Sequence, residues 1–96
     1  MRFEWDEDKD RGNQAKHGVS FSEVQQLFQP GVDYLEIFDA EHSEAEDRFI
    51  AVGPIERGIV VVVYTERDED MIRIIGARLA NKREQELFSS HMGRYR

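Results

Sequence analysis

The chain has 96 residues and a net charge of −7, long enough for one domain, 1–96, to bury a core. It has no cysteine, which excludes a disulfide framework and a thiolate metal site. Its longest apolar run, Ile59 to Tyr64, is far short of the roughly 18 residues that cross a bilayer, and no signal-like stretch opens the chain, so a cytoplasmic protein with no membrane partner is expected. Acidity weakens non-specific attraction to nucleic acid. The charge is uneven, however: residues 1–47 hold 4 Lys/Arg against 13 Asp/Glu, and residues 48–96 hold 9 against 7. Ten of the 13 basic residues are Arg, whose planar fork suits phosphate.

In chain order, Phe3-Glu4-Trp5 reads as a short strand, with Phe3 and Trp5 as core residues. Asp6 is a good N-cap, and Glu7 and Asp8 suit the positive end of a helix that runs to about His17 and stops at Gly18. Ala15 is almost the only core candidate on that helix. Ser20-Phe21-Ser22-Glu23 is a capping box. It opens a second helix with Phe21, Val24, Leu27 and Phe28 on one face, ended by Pro30-Gly31. The period then shortens. Tyr34 to Phe38, Arg48 to Gly53, Ile59 to Thr65 and Met71 to Arg78 read as strands, the middle pair joined by a loop over residues 54–58. A last helix runs from about Ala80 to Met92, with Ala80, Glu84, Leu87, Phe88 and His91 on one side. The predicted order is β-α-α-β-β-β-β-α. This is an α+β fold: an antiparallel meander with helices on one face and the other left for a partner or substrate.

Six blocks, in this order and spacing, resemble the BrnT family of toxins from type II toxin–antitoxin systems. They are Phe3-Glu4-Trp5-Asp6, Lys16-His17-Gly18-Val19-Ser20-Phe21, Arg48 through Gly53, Val61 through Arg67, Ile72 through Arg78, and Ala80-Asn81-Lys82-Arg83-Glu84. Together they span nearly the whole chain. The resemblance implies a RelE-like fold and ribonuclease activity. It also implies a cognate BrnA-like antitoxin with a ribbon-helix-helix DNA-binding domain, and operator DNA reached only through that antitoxin. Two copies of each chain, built on the antitoxin's dimer, would make a heterotetramer. Two features depart from the family pattern: the acidity, and Gly76 where the family often has Ser or another small residue.

RNA cleavage without a cofactor needs a base for the 2′-hydroxyl, positive charge for the transition state and an acid for the leaving oxygen. Lys9, Asn13, Lys16 and His17 lie at i, i+4, i+7 and i+8, within about a 100° arc of the first helix. That stripe is either a solvated face or an RNA contact ending at His17, whose imidazole suits proton transfer or simply caps the helix. Arg48 and Arg67 fall near one end of neighbouring strands. Arg78, Arg83 and Glu84 gather at the other end. Each set is a candidate phosphate clamp or a group of ordinary edge ion pairs. Alternation turns Arg73 away from Ile72 and Ile74, toward the open face. Tyr64 is more at home in a core than in a site. Glu84 is either a structural partner of Arg78 or a general base oriented by it. The catalytic candidates are therefore His17, Arg67, Arg78 and Glu84, and the RNA-binding candidates Lys9, Lys16, Arg48, Arg73 and Arg83.

No cofactor is expected. His42 with Glu41, Glu44, Glu46 and Asp47 is a weak metal candidate, since loop carboxylates usually face water. Two other function classes compete with the nuclease. One is an inactive toxin-like binding module acting as co-repressor or adaptor, which the acidity favours. The other is a metal-dependent hydrolase, which sensitivity to chelator would reveal.

Overall fold

In the computed structural model, which describes residues 1–93, the apolar alternation builds one five-stranded sheet. Its strands are β1 (Arg2–Glu4), β2 (Leu35–Phe38), β3 (Arg48–Ile55), β4 (Gly58–Arg67) and β5 (Met71–Leu79), in spatial order β1-β5-β4-β3-β2. From β2 to β5 this is the expected antiparallel meander. β1 is not part of it: it docks parallel on β5, with Phe3 opposite Ile72, so the sheet is mixed. The β3–β4 connection is tighter than a loop over 54–58. Pro54 and Ile55 stay in the ladder opposite Ile59 and Gly58, leaving Glu56-Arg57 as a two-residue turn. Gly58 leaves that turn at φ 139°, a conformation that side chains strain against.

One face of the sheet carries the main core. Ala51, Val60, Val62, Tyr64, Ile72, Ile74 and Ala77 point into it and meet Val19, Phe21, Val24, Leu27 and Phe28. Phe3, Trp5, Tyr34 and Phe49 pack around this cluster. Phe28 is its hub, with ring centroids of Tyr64 at 5.0 Å, Tyr34 at 5.4 Å and Phe3 at 5.8 Å. The Ser20–Glu23 capping box forms, but the helix it opens, α2 (Phe21–Val24), is a single turn. Residues Gln25–Phe28 tighten into a 3-10 helix, and the two turns together still bury Phe21, Val24, Leu27 and Phe28.

Helix α1 (Glu7–His17) is capped by Asp6, which accepts from the N–H groups of Asp8 and Lys9, and ends on Gly18 at φ 71°. Ala15 is exposed rather than in the core. Polar bolts attach the helix instead. Buried Asp10 accepts the Phe21 N–H at 2.8 Å. Asn13 donates to the carbonyls of Val19 and Ala77, both at 2.8 Å, and accepts the Ala77 N–H at 3.2 Å. A helix with no apolar stripe can therefore sit on β5, because backbone groups there give it partners.

The helices do not share one face, contrary to the α+β pattern read from the sequence. Helix α3 (Lys82–Gly93) crosses to the other side of the sheet, where Phe88 and Ala80 pack on Val52, Val61, Ile50, Ile59 and Leu35. It covers one end of that face, and among the described residues nothing covers the rest.

A bulge in β5 decides which side chains reach that second face. Val63 pairs with Gly76, and the next β4 residue, Tyr64, pairs with Ile74, so Ile75 is an extra residue. In an unbroken strand Arg73 and Arg78, five apart, would point to opposite faces. The bulge restores them to one face, while Ile74 and Ala77 both stay in the core. Register then puts Arg48, Thr65 and Arg73 in one row across three strands, with Arg67 beyond them and Arg78 opposite Val61 at the far end.

Candidate functional site

A cleft of about 350 Å³ opens on this second face, between the C-terminal end of α1, the bulged half of β5 and the start of α3. Ile50, Val61 and Val63 give it an apolar floor, and His17, Arg78 and Glu84 stand in its walls. Gly76 opens the floor; a Cβ there would meet nothing within 4 Å. Asn13, at one edge, is fully committed to holding α1. A larger hollow of about 600 Å³ beside Gly31, Pro54 and Phe88 has Asp33 as its only charged lining residue among the described residues.

Arg78 and Glu84 form a bidentate pair, Nη1 to Oε1 at 2.7 Å and Nη2 to Oε2 at 2.6 Å. Glu84 has a second structural role. Its Oε1 accepts the Asn81 N–H at 2.9 Å, while Asn81 Oδ1 accepts the Glu84 N–H at 2.9 Å. Asn81-x-x-Glu84 is thus the capping box of α3. The Arg78 guanidinium and these bonds hold the Glu84 carboxyl below the usual carboxylate range. The same carboxylate raises the Arg78 pKa. A carboxylate so stabilised is a weak proton acceptor but a firm orienting group for the guanidinium. Glu84 spends two of the five guanidinium N–H groups, and a 3.4 Å bond from Nη1 to the Leu79 carbonyl takes a third. Nε–H and one Nη2–H remain for a phosphate oxygen.

The other candidates are distributed unevenly. Lys9 and Lys16 are exposed on α1 to one side of Asn13, and Arg83 is exposed on α3. Arg67 is not at the cleft. It lies at the opposite end of β4, opposite Met71, with Glu46 at 3.9 Å. Arg48 shares that end, and its Nε is buried without a partner among the described residues. Arg73 is paired with Glu4 at 2.7 Å. The structure thus unites His17, Arg78 and Glu84 and separates Arg67 from them. Tyr64 is in the main core, stacked on Phe49, and burial pushes its phenol far up. Of the weak metal set, Glu41 and His42 approach each other, joined by Asp39 rather than by the later acids, and His42 Nδ1 lies 2.9 Å from Asp39 Oδ2. Glu41 and His42 are exposed, Asp39 is half-buried, and none of the three lines the cleft.

A family model, "Ribonuclease toxin, BrnT, of type II toxin-antitoxin system", matches residues 5–84. The chain belongs to the BrnT family. The match spans α1, the whole meander and the Arg78–Glu84 pair. Among solved structures, the Brucella abortus ribonuclease toxin BrnT is similar, at 25% identity with a TM-score of 0.63, covering 85% of this chain and 99% of that one. No curated protein sequence matches. BrnT membership accounts for the mixed architecture of five strands and three helices, and it implies an antitoxin partner. No helix among the described residues is long and apolar enough to cross a membrane.

Proposed function

We propose that this BrnT chain is an endoribonuclease that cleaves RNA without a metal ion, in the cleft between α1, β5 and α3. The observation that carries the reading is the convergence of His17 and Arg78 over an apolar floor. The floor takes a base by stacking and apolar contact. His17 moves the proton between the 2′-hydroxyl or leaving oxygen and water. The free edge of the Arg78 guanidinium faces the phosphate and stabilises the negative charge that builds as the 2′-oxygen attacks. Glu84 is a positioning residue, holding the plane of Arg78. Lys9, Lys16 and Arg83 supply outer phosphate contacts. Arg48 and Arg73 supply contacts farther along the same face.

The protein partner is a BrnA-like ribbon-helix-helix antitoxin that covers the cleft in a heterotetramer and carries the complex to operator DNA. Family membership is the support for this part. The decisive test incubates the purified chain with RNA in excess chelator. His17→Asn and Arg78→Ala should each lower cleavage by about 10² or more with the fold intact. Products should end in a 2′,3′-cyclic phosphate. Cleavage that needs a divalent ion, or that survives both substitutions, would overturn the assignment. One observation favours an inactive binding module: Arg78 and Arg73 each already hold a carboxylate. Absence of cleavage and of growth inhibition on induction would decide for the module.

A further inference from the structure

The acidity has a location. Residues 33–47 hold seven of the chain's 20 acids, namely Asp33, Glu36, Asp39, Glu41, Glu44, Glu46 and Asp47, with no Lys or Arg; the other 13 acids balance the 13 basic residues. The whole net charge of −7 therefore belongs to strand β2 and the loops on either side of it.

β2 is also the last strand of the sheet, and among the described residues no strand lies outside it. The Asp39 N–H donates to the Arg48 carbonyl at 2.9 Å. Antiparallel alternation then turns the N–H and C=O groups of Leu35 and Ile37 toward β3 and those of Glu36 and Phe38 outward. Side chains on this edge are unusually bare. Ile37, on the cleft face, is 38% exposed and Phe38, on the core face, 52%. No Lys, Pro or bulge blunts the edge. Its acids do prevent one kind of pairing: a second copy of β2 would bring carboxylates against carboxylates. RNA is repelled for the same reason. The favoured occupant is an extended polypeptide whose apolar side chains meet Ile37 and Phe38 and whose Lys or Arg residues meet the acids.

We propose that the outer edge of β2 is the docking strand for the antitoxin, which adds a basic, partly apolar segment to the sheet. This rests on the reading of the chain as a toxin with a protein antitoxin. An added strand would run roughly 4.8 Å beyond β2, and its side chains on the Ile37 side would stand at the mouth of the cleft, because Ile37 lines it. Docking at the edge and occlusion of the site would then be one event.

The test uses the full chain and the antitoxin encoded beside it. Glu36→Pro removes an outward N–H without breaking the β3 ladder, since an edge strand tolerates Pro there. It should weaken antitoxin binding about tenfold or more, through one lost backbone hydrogen bond and the ring's obstruction of the incoming strand. Glu41→Lys with Glu44→Lys should also weaken binding and flatten its dependence on salt. In wild type, hydrogen exchange at the Glu36 and Phe38 amides should slow on complex formation. RNA cleavage by the free Glu36→Pro chain should match wild type, which separates this proposal from the nuclease reading. Equal antitoxin affinity for wild type and Glu36→Pro, or unprotected Glu36 and Phe38 amides in the complex, overturns the edge proposal and leaves the nuclease untouched. So does absence of any antitoxin binding, or a wild-type homodimer that Glu36→Pro dissolves.

Discussion

Glu84 separates a structural account of the cleft from a catalytic one. Substituting Glu84→Ala removes the bidentate partner of Arg78 and the returning half of the α3 capping box together. A cap contributes about 0.5–2 kcal/mol. The ion pair is partly exposed, with side-chain accessibilities of 41% for Arg78 and 23% for Glu84, so its contribution is kept to the exposed-pair range of about 0.2–1 kcal/mol. The combined loss is about 0.7–3 kcal/mol, which for a chain of this length lowers Tm by roughly 3–20 °C. Thermal melting by circular dichroism checks that figure. RNA cleavage, measured well below the new Tm, should persist within about tenfold of wild type, because Arg78 keeps its charge and loses only its orienting partner. Glu84→Gln should behave similarly, with a smaller drop in Tm, as the amide retains one acceptor for Asn81. Suppose instead that Glu84→Gln abolishes cleavage while Tm is unchanged. Then Glu84 is the proton acceptor, and the argument from its lowered pKa is wrong.

Other substitutions test how the cleft is held. Asn13→Ala strands the Ala77 carbonyl and N–H and the Val19 carbonyl, and should cost about 2–3 kcal/mol in urea unfolding. A midpoint unchanged by that substitution would show that α1 is anchored by something else. Gly53→Ala should destabilise by about 1–3 kcal/mol, since a Cβ there would collide with Leu27 Cδ1 and come within 2.7 Å of Tyr34 Cβ; the urea midpoint reads this too. Stability should also fall in acid. Glu84 and Glu23 both have carboxyls lowered from 4.5, Glu84 chiefly by Arg78 and Glu23 chiefly by the Ser20 N–H. Their stabilisation is complete above 4.5, where both states are ionised, and is lost as pH falls through the depressed folded values. Tm should therefore drop between about pH 5 and pH 3, with a shallower slope in the Glu23→Gln, Glu84→Gln double variant.

What sequence reasoning reached and missed follows from the range of each interaction. The strands of the meander and the Ser20–Glu23 box depend on neighbours within a few residues, and both were legible. So was the pairing of Arg78 with Glu84, six apart. The Asn81–Glu84 box has the same four-residue pattern as Ser20–Glu23, and it starts α3 at Lys82 rather than at Ala80. Asn13 reads as part of a surface stripe, because Ala77, which bolts it to β5, is 64 positions away. Arg57 sits in a turn with no pattern around it, yet it bonds Glu23 Oε1 at 2.7 Å and the Gly18 carbonyl at 2.6 Å, closing the turn onto both early helices. Unbroken alternation hides the bulge at Ile75, though Gly76 inside a strand pattern is its mark.

That bulge matters more for function than for stability. Counted without it, Arg78 belongs on the same face as Ile72 and Ile74, where a guanidinium would be buried in the aromatic core at high cost. Counted with it, one inserted residue puts Arg78 beside His17 and leaves the hydrophobic face of β5 continuous. The acidity objection gives way on similar grounds. Averaged over 96 residues, −7 argues against RNA. Resolved by position, it lies on the β2 edge, with Glu46 beside Arg67, while His17, Lys16, Arg78 and Arg83 sit on other elements. The proposed RNA path therefore avoids the β2 side and runs past Lys16, Arg78 and Arg83. On the proposed reading, Arg48 and Arg67, close to the acidic loop, should contribute least to RNA binding and Arg78 most.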